Sequence, residues 1–255
     1  MAVDEAILLA HAEGLVPPTV RFYGWDPPTL SIGYFQRVDK DVDLHKLRQR
    51  GLGFVRRATG GRAVLHHQEL TYSVIVSESH SLMPRSVVES YRVISNGLVE
   101  GFRRLGVHAQ MVPRGSRRQP LPPMVSAACF EAPSSYELVV EGKKIAGSAQ
   151  LRQRGVILQH GSILQEMDVE LLLDVLRFSS EEAREAMRKT LHEKAVPIHR
   201  LRSPVTWDEM VEAFAAGFEQ GLGIRLVAGE LTAEEKRLAE ELARRYASDE
   251  WNFLR

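Results

Sequence analysis

The spacing of apolar and polar residues predicts a first half rich in short strands and a last third that is helical. Apolar residues recur at helical spacing in some segments, whereas alternating or β-branched runs bounded by turn residues indicate strands. In the first half, helices are expected at 2–12, 41–50 and 86–105. Strands are expected at 19–23, 29–34, 54–57 and 70–76.

Three more β-rich runs and two capped helices follow. The runs 136–140, 144–151 and 156–159 are joined by tight turns and predict an antiparallel meander. Thr206-Trp207-Asp208-Glu209 and Thr232-Ala233-Glu234-Glu235 fit the capping box, in which threonine and glutamate side chains accept from free amides at a helix start. One apolar face of the first helix is formed by Val211, Phe214, Ala215, Phe218 and Leu222.

The order of these elements predicts an α+β (α/β) fold in which a mixed β-sheet is flanked by helices. A chain of 255 residues can bury one sizeable core, so we expect a single domain over 1–255 that includes the helical region from about 205 to 255. The basic, proline-rich stretch between Pro113 and Pro123 excludes persistent regular structure and predicts an exposed loop before Cys129.

Composition narrows the class of protein. Lysines plus arginines and aspartates plus glutamates number 33 each, so net charge offers no general attraction to nucleic acid or to a membrane surface. The single cysteine excludes an internal disulfide framework and fits a reducing compartment, which points to the cytoplasm. The sequence opens without an export signal, and its apolar runs are too short to span a membrane.

Cys129 and Lys144 suggest acyl transfer. A thiolate is a strong nucleophile, and a nearby ammonium group lowers the pKa of a thiol from about 8.5 toward neutrality. Each residue also has an ordinary explanation, because a lone cysteine is often an inert buried side chain and a lysine beside a turn is often solvated. The residues alone leave both interpretations open.

The segment 56–66 places two glycines among three arginines at the end of a strand. Gly60 and Gly61 permit positive φ and the close approach of a ligand, while arginine suits phosphate or carboxylate. A tight hairpin with solvated charges explains the same residues equally well. The nucleotide-binding fingerprints GxGxxG and GxxxxGK[ST] do not occur. His66 and His67 lack the spacing of a zinc-binding helix, so no metal is predicted.

These segments resemble the biotin/lipoate protein ligase and lipoyl transferase superfamily. The resemblance rests on 56–66, on Glu69-Leu70-Thr71-Tyr72-Ser73, on 144–150 and on His160-Gly161-Ser162, and it covers essentially the whole chain. Within the superfamily, the segments 129–134, 138–142 and 153–161 are similar to the branch that transfers octanoyl groups from acyl carrier protein. His67 departs from the acidic residue expected at its position.

The resemblance implies an octanoyltransferase that needs no cofactor. Cys129 would take the acyl group from octanoyl-acyl carrier protein as a thioester, and Lys144 would stabilise the thiolate and the oxyanion. The lysine of a lipoyl domain, in glycine cleavage H protein or a 2-oxoacid dehydrogenase E2, would then take it as an amide. The implied substrate-binding residues are Arg57, Gly60, Gly61, Arg62, Ala63, Val64, His66, Ile145, Ala146, Gly147, Ser148, His160 and Gly161.

Several of these residues also have structural explanations. Neither His66 nor His160 has an acidic partner evident in the sequence, and His160 is expected as a core histidine, with positioning in the pocket as the alternative. An octanoyl tail would contribute roughly 5 kcal/mol of binding at about 0.8 kcal/mol per buried methylene. The residues expected to wall its slot, which fit a plain core equally well, are Val64, Ile145, Ala146 and Gly147.

Three other functions remain compatible with the sequence. An ATP-dependent lipoate ligase shares the glycine loop and the lysine strand, but it needs no nucleophilic cysteine and many such enzymes carry a further domain. An octanoyl amidotransferase between lipoyl domains also uses a cysteine. A non-catalytic binding module is disfavoured because both Cys129 and Lys144 are present.

A basic surface near the nucleophile is the predicted contact for the acidic carrier protein, with a merely solvated loop as the alternative. It consists of Arg114, Arg117, Arg118, Arg152 and Arg154.

Overall fold

The computed structural model describes residues 1–113 and 136–254 and confirms the α+β fold. The strands are β1 (Thr19–Tyr23), β2 (Thr29–Ile32), β3 (Gly53–Arg56), β4 (Val64–His66), β5 (Glu69–Ser77), β6 (Gln110–Pro113), β7 (Tyr136–Val140), β8 (Lys143–Gln153) and β9 (Val156–Leu164). The helices are α1 (Ala2–Ala12), α2 (Val38–Asp41), α3 (Leu44–Gln49), α4 (Val87–Arg104), α5 (Val169–Val175), α6 (Glu181–Lys194), α7 (Trp207–Leu222), α8 (Ala233–Ala247) and α9 (Asp249–Asn252).

Six strands form the larger sheet, in the order β1-β5-β9-β8-β7-β6, and every pairing in it is antiparallel. The predicted meander is confirmed as β7, β8 and β9. Side chains alternate between the two faces of β5, so Leu70, Tyr72 and Val74 enter the main hydrophobic core. Glu69, Thr71 and Ser73 occupy alternate positions and are buried as well.

Helices α4 and α7 cover the core face of this sheet. Four glycines let them approach closely: a Cβ on Gly101 would lie 2.2 Å from the Phe214 ring, and one on Gly217 would lie 2.3 Å from the Gly101 backbone nitrogen. The rings of Phe214 and Phe218 fill the space that glycine leaves. Phe214 and Phe218 lie on the apolar face expected for this helix, and Met210 extends it.

The smaller sheet has the order β3-β2-β4 and mixed pairing, with β2 parallel to β3 and antiparallel to β4. It therefore carries the mixed pairing that the sequence predicted, while the larger sheet is antiparallel. Leu30 and Ile32 of β2 belong to a second core that also includes apolar side chains of α3, α5 and α6.

The C-terminal helices pack on the N-terminal part of the chain. Arg245 and Tyr246 of α8 both donate to the buried carboxylate of Glu5 in α1. Arg56, which is fully buried, donates its guanidinium to the carbonyl oxygen of Asn252 at 3.0 and 3.2 Å, and its backbone N–H to the side-chain oxygen of Asn252 at 2.7 Å. Both predicted capping boxes are present at α7 and α8.

The predicted helix over 41–50 differs from the structure, which has two short helices there. The Asp43 side chain caps α3 by accepting from the Lys46 N–H, and the Asp43 N–H donates to the Val175 carbonyl instead of continuing α2. Contact with the end of α5 therefore interrupts the predicted helix. The spacing of apolar residues within 41–50 gives no sign of this contact.

Candidate functional site

A cleft of about 730 Å³, measured to its open mouth, lies between the two sheets. The larger sheet supplies residues from β5, β8 and β9, and the smaller one from β2, β4 and the loop after β3. The lining residues are Met1, Ser31, Arg57, Gly61, Val64, His66, Thr71, Lys144, Gly147, Ser148, Ala149, His160, Gly161, Ser162 and Leu164.

The buried side chains of the cleft are polar and bonded to one another. His66 lies at its centre: Nε2 is 2.8 Å from the Ser31 hydroxyl, and Nδ1 is 2.6 Å from a carboxylate oxygen of Glu69. Glu69 also accepts hydrogen bonds from the hydroxyls of Thr71 and Ser162. We call Ser31, His66, Glu69, Thr71 and Ser162 the polar floor.

Trp25 contacts two residues of the polar floor, His66 and Thr71. Its ring stacks on His66 with centroids 4.3 Å apart, and its Nε1 donates to the Thr71 hydroxyl at 2.8 Å. Burial alone would raise the pKa of Glu69, but the charge and hydrogen bond of His66, with the two hydroxyl donors, hold that pKa below its usual range. The carboxylate is therefore a fixed negative group under the cleft.

His160 is held in a second buried cluster. Its Nε2 is 2.7 Å from the Thr59 hydroxyl, which links β9 to the glycine-containing loop, and its Nδ1 is 3.9 Å from Asp4. Burial lowers the pKa of His160 despite the carboxylate, so the ring is neutral near pH 7. Asp4 accepts from Arg21, Tyr23 and Ser73.

Both histidines thus have acidic neighbours that the sequence did not reveal. Glu69 follows His66 by three residues, but a strand turn lies between them, and Asp4 comes from the first helix. Local spacing offered no signal for the second pair, because the packing of α1 against β9 brings Asp4 close to His160 from a distant part of the sequence.

Lys144 lies on β8 at the cleft, beside Glu137 of β7. Its ammonium nitrogen is 3.8 Å from a Glu137 carboxylate oxygen, and only 12% of its side chain is exposed. A Cβ on Gly147 would lie 3.7 Å from the Lys144 ε carbon, so the lysine side chain lies over that glycine. The Lys144 carbonyl accepts from Val196, which anchors this end of the strand.

Arg57 organises the loop between β3 and β4. Its guanidinium donates to the carbonyl oxygens of Gly60 at 3.1 and 3.2 Å and of Arg62 at 2.7 Å, and to the Ser31 hydroxyl at 3.0 Å. Gly61 has a φ of 105°, and its carbonyl oxygen packs against Gly33. A Cβ on Gly33 would lie 2.0 Å from that oxygen. The loop after Arg57 is thus closely fixed.

The structure brings together many of the expected site residues at this cleft and places the others elsewhere. Those that line it are Arg57, Gly61, Val64, His66, Lys144, Gly147, Ser148, His160 and Gly161. Ile145 and Ala146 pack in the main core, Ala63 packs in the second core, and Gly60 and Arg62 flank the lining loop. Cys129, with Arg114, Arg117 and Arg118, lies outside the described residues.

Sequence reasoning missed part of the lining. The lining residues that were not expected there are Met1, Ser31, Thr71, Ala149, Ser162 and Leu164. The sequence contained a signal for Thr71 and Ser162, because each is a polar residue within a strand whose other residues are mostly buried. Arg152 is held by Glu78 and Ser90, and Arg154 lies 3.6 Å from Glu13.

Within 1–113 and 136–254, no cluster of three or more histidine, cysteine, aspartate or glutamate residues is arranged to hold a metal ion. Among the helices described, none is long and apolar enough to cross a membrane.

Residues 1–219 match the family model for the lipoyl protein ligase A/B catalytic domain. The chain belongs to this family. An octanoyltransferase LipM of Kyrpidia tusciae is 60% identical over 255 residues, covering 99% of this chain and 93% of the relative. That of Bacillus subtilis is 54% identical over 259 residues, covering 100% and 93%.

Solved structures of the family share the fold. A bipartite lipoate protein ligase of Thermoplasma acidophilum, described with its E2 lipoyl domain, is 28% identical with a TM-score of 0.79 and covers 99% of this chain and 89% of its own. A lipoate-protein ligase A bound with ATP has the same identity and TM-score, with 99% and 92% coverage. The superfamily inferred from the sequence is confirmed.

Proposed function

We propose that the enzyme transfers an octanoyl group from an acyl carrier protein to the lysine of a lipoyl domain, through a thioester on Cys129. The observation that carries the proposal is 54–60% identity, over nearly the full chain, to proteins named octanoyltransferase. That similarity makes the enzyme an acyltransferase.

The shape of the cleft supports an acyl substrate. Val64 and Leu164 supply apolar surface to the lining, and Gly147 and Gly161 add lining positions without side chains. Apolar side chains next to bare backbone suit an acyl chain. Burial of the tail would contribute roughly 5 kcal/mol at about 0.8 kcal/mol per methylene.

The position of Lys144 supports a thiolate mechanism. We infer that its ammonium group stabilises the Cys129 thiolate, which attacks the thioester carbon of the donor. A sulfur–carbon bond forms, the carbonyl electron pair moves to oxygen, and collapse of this intermediate expels the carrier thiolate. The neutral amine of the acceptor lysine then attacks the enzyme thioester, releases Cys129 and loses a proton.

Intact mass spectrometry tests this first half-reaction. Wild-type enzyme incubated with octanoyl carrier protein in the absence of ATP should gain one octanoyl group, and Cys129→Ser should gain none while keeping its circular dichroism spectrum. A wild-type enzyme that stays unmodified would contradict the proposed thioester, and one that also octanoylates a lipoyl domain from ATP and free octanoate would indicate a ligase.

The second half-reaction is tested by adding a lipoyl domain to the isolated acyl-enzyme. The proposed acceptors are glycine cleavage H protein or the E2 lipoyl domain of a 2-oxoacid dehydrogenase. One octanoyl group should leave the enzyme and appear on the acceptor lysine. Retention of the group by the enzyme with both acceptors would contradict the assignment.

We further propose that the chain acts in the cytoplasm as one folded unit over 1–255. The contacts of α8 and α9 with Glu5 and Arg56 support including the C-terminal helices in that unit.

A further inference from the structure

The loop of residues 59–62, here called the glycine loop, turns all four of its carbonyl groups toward protein partners. The Thr59 oxygen accepts from the Tyr34 N–H at 2.9 Å. Those of Gly60 and Arg62 accept from Arg57, and that of Gly61 lies against Gly33.

Peptide geometry then fixes the direction of the N–H groups. Asp26–Pro27 is the one cis peptide bond among the described residues, so the peptides of the glycine loop are trans. In a planar trans peptide the N–H points opposite to the preceding carbonyl. The Gly60 and Gly61 N–H groups therefore point away from the Tyr34 and Arg57 side.

Within residues 1–113 and 136–254, no backbone carbonyl accepts a hydrogen bond from either of these two donors. Backbone N–H groups need a partner, and Gly61 lines the cleft that also contains Lys144. Consecutive amides beside a residue of positive φ form a concave site that favours an oxygen anion.

We propose that the Gly60 and Gly61 N–H groups bind the acyl carbonyl oxygen and stabilise the oxyanion formed at each transfer step. Arg57 is a positioning residue, because it holds the Gly60 carbonyl, and the same peptide carries the Gly61 N–H. The inference rests on the proposed function.

The chemical role follows from where charge develops. When sulfur or nitrogen bonds to the acyl carbon, the carbonyl electron pair moves to oxygen, and the negative charge disappears again when the leaving group departs. Fixed N–H donors that meet this oxygen stabilise the transition state more than the ground state. They therefore raise kcat and have little effect on substrate binding.

Two variants test the glycine loop. Arg57→Lys keeps the positive charge but lacks the fork that reaches both loop carbonyls. Gly61→Ala places a side chain at φ of 105°, where glycine alone is relaxed, and should turn the flanking peptides. Gly106→Ala is the matched control, since Gly106 also has positive φ (73°) and open space around it, but follows α4 behind the larger sheet.

The kinetic measurement is steady-state transfer from octanoyl carrier protein. Arg57→Lys and Gly61→Ala should each lower kcat on the order of 100-fold with KM changed less than about threefold. Gly106→Ala should leave both constants near wild type. A raised KM with unchanged kcat in Arg57→Lys would show instead that Arg57 binds the substrate directly, and would overturn the proposal.

Infrared spectroscopy supplies a readout that loss of stability would not produce. The carbonyl stretch of a ¹³C-labelled octanoyl-enzyme should lie at lower frequency in folded wild type than after denaturation, because hydrogen bonds weaken the C=O bond. Arg57→Lys and Gly61→Ala should lose most of that shift, whereas Gly106→Ala retains it.

The possible failures are distinguishable. A wild-type acyl-enzyme whose carbonyl frequency does not change on denaturation refutes the oxyanion site and leaves the proposed function intact. Failure of wild type to form any acyl-enzyme contradicts both.

Discussion

At the scale of single residues, Lys144 is held more firmly than a lysine beside a turn would be. Strand pairing fixes its backbone, and Glu137 and Gly147 confine its side chain. A cation held in one place can act on a neighbouring group at a constant distance, whereas a solvated lysine samples many positions. This restraint distinguishes Lys144 from its neighbour Lys143, whose side chain is exposed.

Lys144→Met should raise the pKa of Cys129 and slow acylation, because the ammonium group that favours the thiolate is removed. The measurement is the rate of iodoacetamide labelling as a function of pH, in which the midpoint should move to higher pH. Lys143→Met is the control: its side chain is exposed, and its ammonium is 3.5 Å from the His192 carbonyl. Equal midpoints in wild type and Lys144→Met would remove Lys144 from thiol activation.

The residue scale also shows how far a motif predicts a site. The resemblance marked Lys144, Ile145, Ala146 and Gly147 together, yet the structure places Lys144 and Gly147 at the cleft and the other two in the main core. This split departs from regular strand alternation, which would place Lys144 on one face with Ala146. The pairing of β7 with β8 shifts register at this point, between Leu138 and Val139. Sequence alone therefore located the strand but not its functional face.

At the scale of elements, the polar floor joins β2, β4, β5 and β9. Its members come from both sheets, so their hydrogen bonds fix the width of the cleft at its base. The short strand β4 was not predicted from sequence, because three residues are too few to show alternation. It acquires its conformation from pairing with β2. Elements defined by local periodicity, such as α1, α4 and α7, were predicted with nearly correct bounds.

Glu69→Gln should destabilise the fold by about 2 kcal/mol at pH 7, because a charged acceptor of three hydrogen bonds becomes a neutral amide with two misplaced donors. The measurement is the free energy of unfolding in urea. Glu100→Gln, in the surface ion pair with Arg103, is the control and should change it by less than about 1 kcal/mol.

The same variant has a pH dependence of definite sign. The pKa of Glu69 is lower in the folded chain than its ordinary value, so its carboxylate contributes stability above the unfolded-state pKa and loses it as pH falls through the folded value. The difference between wild type and Glu69→Gln should be complete above about pH 4.3 and narrow below it. A difference that is constant down to acid unfolding would show that the charge of Glu69 contributes nothing.

At the scale of the whole molecule, helix α9 is hydrogen-bonded to the end of β3, just before the glycine loop. Arg56 donates to Asn252 and also to the carbonyls of Gly33, Tyr34 and Gln36, and it immediately precedes Arg57. Trp251 returns a hydrogen bond to the Arg56 carbonyl at 2.8 Å. The C-terminus thus supports the strand that leads into the glycine loop, a connection between residues about 200 apart that sequence patterns could not reveal.

Asn252→Ala should lower the unfolding free energy by about 1–3 kcal/mol, since the buried Arg56 N–H and the Tyr246 carbonyl lose their partner. Chemical denaturation measures it. Glu250→Ala, exposed on the same short helix, should change the midpoint little. Equal unfolding free energies for the two variants would show that the hydrogen bonds of Asn252 do not stabilise the packing of α9.

Charge on the molecular surface should govern the encounter with the carrier protein. Changing Arg114, Arg117 and Arg118 to glutamine should raise KM for octanoyl carrier protein at low salt, leave kcat nearly unchanged and matter less at high salt, because exposed charges mainly steer association. The control changes Arg225, Arg237 and Arg244, which are exposed in the C-terminal region. Similar kinetics for the two triple variants would contradict the predicted docking at residues 114–118.

The glycine contacts between α4 and α7 determine how the enzyme tolerates mutation. A methyl group on Gly217 would meet the backbone of Gly101, and one on Gly221 would meet the backbone of Asn96, at 2.3 and 2.6 Å respectively. Neither clash can be relieved by rotating a side chain. In a saturation library selected for octanoyl transfer, these two glycines should persist as strictly as Lys144, although they touch no substrate. Intolerance to substitution in this enzyme therefore marks helix packing as readily as it marks chemistry.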